Sequence, residues 1–207
     1  MNRSAPALIT MLLAFAPLLA TPVAAEAQDP GPGTDAASPP SRSGVHFSAG
    51  LGSASMGATC DQCGTNPFVD RLNGVSGFVQ LGGAVTPQLI VTGEFLGWIA
   101  NDQPVFRRVA GLSLAVLGYP SRDAGFFVKG ALGGIRAVVE NDLLLVQTDA
   151  WMATTGIGYD IPAGSIRITP YLNYVRSFGG ATEVNGLVSP AAVLPDALQF
   201  GAALTVN

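Results

Sequence analysis

From about residue 44 onward, apolar side chains alternate with small or polar ones through segments of about ten to fifteen residues. In the final segment Leu198, Phe200, Ala202, Leu204 and Val206 share one face of an extended chain. Gln199, Gly201, Ala203, Thr205 and Asn207 share the other. A repeat of two is the signature of a β-strand, whose successive side chains point to opposite faces. The pattern predicts eight strands, over about 44–55, 74–85, 89–99, 107–118, 125–138, 145–161, 165–177 and 197–207. Thr86-Pro87-Gln88, Pro120-Ser121-Arg122-Asp123 and Pro162-Ala163-Gly164 supply tight turns between alternate pairs. The other connections, about 56–73, 100–106, 139–144 and 178–196, read as longer loops.

Which face turns outward follows from residue size. The apolar set is rich in Val, Leu, Ile and Phe, whereas the alternate set is mostly Gly, Ser, Ala and Thr, with Gln80, Glu94 and Lys129 among them. A secreted soluble sandwich or lipocalin-like barrel is the competing reading, but it needs a well-solvated exterior that this glycine-rich set does not provide. Apolar residues outward and small polar ones inward instead predict an all-β, eight-stranded, antiparallel up-and-down transmembrane β-barrel.

Composition agrees. Hydrophobic residues make up 48% of the 207 and charged ones 12%, and mean hydropathy is +0.40. A soluble domain carries about 25% charge. Beyond the amino-terminal segment no apolar run reaches the ~18 residues of a spanning helix, and lipid otherwise admits only closed sheets. The net charge of −4 and pI near 4.7 argue against nucleic acid as a partner.

Residues 1–27 carry a basic start at Arg3, an apolar stretch interrupted by Pro17, and Ala25-Glu26-Ala27, the layout of a cleavable secretory signal. Cleavage after Ala25 fits almost as well as after Ala27, and an uncleaved anchor is the alternative. Residues 28–43, dominated by Pro, Gly and Ser, are expected to form an unstructured periplasmic leader ahead of a barrel over 44–207. With an even strand count, both termini are expected to be periplasmic and the longer loops outside.

Several segments carry a resemblance. They are Gly-Phe-Val-Gln-Leu-Gly-Gly-Ala-Val-Thr-Pro from Gly77, Gly-Glu-Phe-Leu-Gly-Trp from Gly93, Gly-Phe-Phe-Val-Lys-Gly-Ala-Leu-Gly from Gly125, Gly-Tyr-Asp-Ile-Pro from Gly158 and Thr-Pro-Tyr-Leu-Asn-Tyr from Thr169. Through them residues 44–207 resemble the bacterial outer-membrane β-barrel domain family, the OmpA-, OmpX- and opacity-type small barrels, and most of all its uncharacterised branch. The resemblance implies an outer-membrane location, lipid and lipopolysaccharide as surroundings, the barrel-assembly machinery as a partner in biogenesis, and outer loops open to an extracellular ligand. Such barrels usually finish on an aromatic residue that this machinery reads; here the last residue is Asn207 and the nearest aromatic is Phe200.

Candidate chemistry is sparse. Cys60 and Cys63 lie in the first long loop, where a CxxC in an exported chain favours a disulfide over a redox or metal site. His46, the single histidine, falls at the periplasmic start of the first strand and inward, a poor position for a hydrolase of the outer leaflet. Gln80, Glu94 and Lys129 lie at similar distances from their turns and point inward, so they are expected to share a luminal layer, with Glu94 and Lys129 paired and Arg107 and Arg167 above and below. A proton or ion pathway is the sharper reading of the same residues. Trp151, Tyr159 and Tyr174 fit interface aromatics, whereas strict alternation turns Trp98 inward. No cofactor and no catalytic residue is indicated. The expected function is non-enzymatic, structural or surface-interacting; a porin-like small pore or hydrophobic-solute conduit of the OmpW kind is the alternative, kept open by the many inward glycines.

Overall fold

A computed structural model describes residues 42–60, 71–102 and 105–206. The alternating segments form eight long strands: β1 (Val45–Cys60), β2 (Leu72–Thr86), β3 (Leu89–Asp102), β4 (Val105–Gly118), β5 (Phe126–Glu140), β6 (Leu145–Tyr159), β7 (Ile166–Val184) and β8 (Val193–Val206). Two short segments, Ile161–Ala163 and Leu187–Val188, each pair back onto β7. Every strand pairs antiparallel with its chain neighbours, and β1 pairs with β8 from Phe47↔Val206 to Cys60↔Val193. The sheet is therefore a closed up-and-down barrel, as the alternation predicts.

The stagger of the ring follows from its registers. A path through in-register residues runs from Arg167 on β7 through Thr205, Ser48, Gln80, Glu94, Ser113, Gly133 and Met152. It returns to β7 at Ser177, ten residues further along the strand than it began. Closing eight strands with that shear tilts them by about 40° and leaves an interior just wide enough for side chains to fill.

The outer wall is apolar, with Leu51, Val75, Leu112 and Leu132 each about two-thirds exposed or more. The inner wall buries Ser48, Gln80, Thr92, Glu94, Lys129 and Asn173. The end holding Val45 and Val206, the terminus end, carries the short turns, including the two-residue Pro87-Gln88 connection; the opposite end is the loop end.

At the loop end the strands run further than the alternation predicts. β1 reaches Cys60, β5 reaches Glu140, and β7 extends to Val184, into stretches read as loops from sequence. The reason is chemical. Above the apolar belt the outward positions become charged on β4 to β6 and small or polar on β1, as at Gly57 and Thr59, so the ladder continues while the hydrophobic rhythm stops. There Arg108 meets Glu140 at 3.7 Å, and Arg136 holds Asp149 through two hydrogen bonds of 2.6 and 3.0 Å.

The filled lumen as candidate functional site

Three layers fill the interior. At the terminus end Ile90, Leu117, Tyr119 and Phe127 form an apolar floor around Asp160. The Tyr119 hydroxyl donates to Asp160 Oδ2 at 3.0 Å and Thr169 Oγ1 donates to Oδ1 at 2.8 Å. Arg42, just ahead of β1, closes this floor. Its guanidinium lies 3.6 Å from the Tyr119 ring centroid and 3.7 Å from the Asp160 carboxylate, and it donates to the carbonyls of Arg122 and Ala124 at 2.9 and 2.5 Å. Burial, and then the Asp160 charge, push the Tyr119 phenol well above its ordinary range. Composition places Arg42 in the leader, yet it is as buried as the core. His46 is also enclosed near this end.

The middle layer is polar. Glu94 Oε2 accepts from both Lys129 Nζ and Gln80 Nε2, each at 2.5 Å. Gln80 faces Glu94 directly across the β2–β3 ladder, and the long lysine side chain reaches over from β5. Ser48, Thr205 and Thr169 continue the layer as a run of hydroxyls at 2.9 and 3.2 Å, and Asn173 Nδ2 donates to Gln199 Oε1 at 3.1 Å. A buried charge left without such partners would cost several kcal/mol. Here the charges answer each other.

Above it sits an apolar plug built on Phe78, Leu96, Trp98, Ile135, Met152 and Tyr171. Phe78 and Tyr171 meet edge to face at 4.9 Å, and the indole N–H of Trp98 donates to the Ala54 carbonyl at 3.0 Å. The inward glycines make room for these side chains. Gly50 faces Phe78, Gly158 faces Phe127 and Gly201 faces Tyr171 in register. A methyl added at Gly50 would lie 2.6 Å from the Phe78 ring, and one at Gly111 would lie 2.9 Å from Met152. Two voids of about 10 Å³ each lie in the lumen, between Trp98 and Val175 and between Lys129 and Tyr171. Each is about the room of one water molecule.

The structure thus brings Glu94, Lys129 and Gln80 together and separates the two arginines from them. Arg107 faces inward on β4 but lies six residues, about 20 Å of strand, toward the loop end from Ser113, the in-register neighbour of Glu94. Arg167 lies at the terminus end, where its charge bears on Tyr119. The two arginines thus lie above and below the pair, and Arg107 at that distance does not join its polar layer.

Of the interface aromatics, Trp151 stands exposed on the outer wall at the middle of β6 and Tyr159 at the end of that strand, and Tyr174 is half-buried. Cys60 ends β1 and is disulfide-bonded; Cys63 lies outside the described residues, as do residues 1–41. Sequence reasoning missed Arg42 and the plug. Arg42 carries no periodic signal. The plug residues do have the parity of the inner wall, and two of its aromatic rings, Phe78 and Tyr171, face glycine across the ladder, which is the signal that could have found them.

No protein-family model and no curated protein matches the chain. The fold defines its class, the small eight-stranded antiparallel barrel, and solved bacterial outer-membrane proteins share it. Neisserial surface protein A is similar at 11% identity and a TM-score of 0.54, over 79% of this chain and 98% of that one. Ail, the attachment invasion locus protein of Yersinia pestis, is similar at 10% identity and a TM-score of 0.51, over 77% and 97%.

Proposed function

We propose that the protein is a non-enzymatic bacterial outer-membrane barrel whose role is structural or surface-interacting, and that it carries no solute. Exported by residues 1–27, it holds both termini in the periplasm and presents the loop end outside, with lipid and lipopolysaccharide around its belt and the barrel-assembly machinery as its partner in biogenesis. The belt supports this placement. On β6 the outward face from Trp151 to Tyr159 covers eight residue steps, about 26 Å of strand and about 20 Å of height at a tilt of about 40°. The apolar band of such barrels is about 25 Å tall.

The observation that carries the choice between structure and conduit is the filled lumen. The glycines that favour a conduit in the sequence are seats for Phe78, Phe127, Tyr171 and Met152, and the voids beside Trp98 and beside Lys129 are of about 10 Å³ each. Purified protein in planar bilayers is expected to show no stable conductance and to leave small sugars inside liposomes. Reproducible single-channel steps, altered by Lys129→Met or Glu94→Gln, would put the conduit first.

A further inference from the structure

The loop end carries an apolar surface that neither the belt nor the lumen explains. Leu143 is 89% exposed, Leu187 76% and Val188 72%, with Leu144 and Leu145 beside them at about 40%. They do not belong to the belt. Leu145 pairs with Glu140, four residues along the ladder from the Arg136–Asp149 pair, so about 13 Å of strand and a charged collar intervene.

The two loops that present them are fixed by hydrogen bonds. Asn141 Oδ1 accepts from the backbone N–H groups of Leu143 and Leu144 at 3.0 and 2.7 Å, and the Asn141 N–H donates to the Leu144 carbonyl at 2.9 Å. Asn185 and Gly186, with φ of 51° and 82°, make the left-handed pair of a tight hairpin turn that sets Leu187 against Val184 and Val188 against Glu183. Asn185 then ties the loops together. Its N–H donates to the Leu145 carbonyl at 2.8 Å, and its Oδ1 accepts from the Leu145 N–H at 2.9 Å. Five aliphatic side chains are thereby held out into water on ordered backbone, which lowers the ordering cost of association. Exposed apolar clusters of this kind mark interaction sites.

We infer that this apolar knuckle is a docking surface for a protein partner whose own contact has an apolar centre and a basic rim. The charge around the knuckle selects that partner. Asp142 and Glu183 flank the aliphatic residues and are exposed. An acidic rim repels anionic membranes and polyanions, and it would face its own like charge in a second copy. The inference rests on the proposal that the loop end lies outside the cell.

The test uses the full-length protein in lipid nanodiscs and a phage-displayed random peptide library as the probe, with L143D and L187D variants that retain the heat-dependent shift on SDS gels. Selection is expected to enrich aliphatic or aromatic peptides flanked by Lys or Arg, which bind either variant tenfold or more weakly and lose affinity as salt rises. Enriched peptides that bind L143D as well as the parent, or that carry acidic flanks, would overturn it. So would a Leu143-dependent dimer in sedimentation, which assigns the surface to a second copy, or Leu143-dependent flotation with phosphatidylglycerol vesicles, which assigns it to a membrane. A Leu143→Cys variant labelled on intact cells by an impermeant maleimide keeps the two readings apart. No labelling overturns the orientation and this inference with it, whereas labelling without selective peptide binding overturns the inference alone.

Discussion

Replacing Lys129 with Met removes the positive partner of a carboxylate that is 1% exposed and whose second oxygen, Oε1, has no hydrogen-bond partner among the described residues. Only the Gln80 amide would still face Glu94, so the stranded charge is expected to cost about 3 to 5 kcal/mol of folding stability. Glu94→Gln strands the ammonium and is expected to cost a similar amount. In the double variant the new amide can still accept from Gln80 Nε2, no charge remains, and the loss should fall to about 1 to 2 kcal/mol. Urea unfolding in detergent or vesicles, followed by tryptophan fluorescence, measures all four proteins. A double-variant loss equal to the sum of the single losses would show that the groups do not interact and refute the account of the polar layer.

Other expectations follow from the same packing. Gly50→Val drives a side chain into the Phe78 ring and should cost about 1 to 3 kcal/mol, read as a lower urea midpoint; adding Phe78→Ala should recover part of the loss. Arg42→Gln gives up the ring stacking and the charge opposite Asp160, and should speed hydrogen exchange at residues 119–125 while leaving β3 unchanged. If Cys60 is joined to Cys63, the non-reduced mature protein should weigh two hydrogens less than the dithiol, and full alkylation without reductant would sink that pairing. Unheated protein in SDS should migrate differently from boiled protein, because a closed ring of hydrogen bonds has no edge at which to begin unravelling; identical migration together with carbonate extraction would count against a spanning barrel.

The strands were legible where a side chain's neighbour is apolar and only there. Between Leu198 and Val206, or Ile166 and Tyr174, every second residue is apolar, and the outward face was read correctly. Beyond Arg136 and Asp149 the same ladder continues with charged outward residues, so a hydropathy rhythm could not report it. The layer shared by Gln80, Glu94 and Lys129 was visible because those three lie on nearby strands, where counting from the turns introduces little error. How far Arg107 stands above that layer was not legible, because the separation depends on the register of β4 against β3. The plug escaped because large residues such as Phe78, Trp98 and Met152 sit on a face otherwise recognised by its small ones, and their fit depends on glycines of neighbouring strands. Arg42 depends on Tyr119 and Asp160, distant in sequence, and no local pattern announces it.

The seam between β1 and β8 imposes an order of events. Its fourteen in-register pairs, from Phe47↔Val206 to Cys60↔Val193, join positions about 130 to 160 residues apart, whereas every other long pairing joins consecutive hairpin arms. Local hairpins can form early at small entropic cost, but the seam must wait until all eight arms exist and their ends meet. Until then two strand edges lie open, each a template for pairing with another chain. Aggregation on the way to the membrane is therefore a race against one final zipper, and a chain stalled before Val193 has nothing with which to finish it.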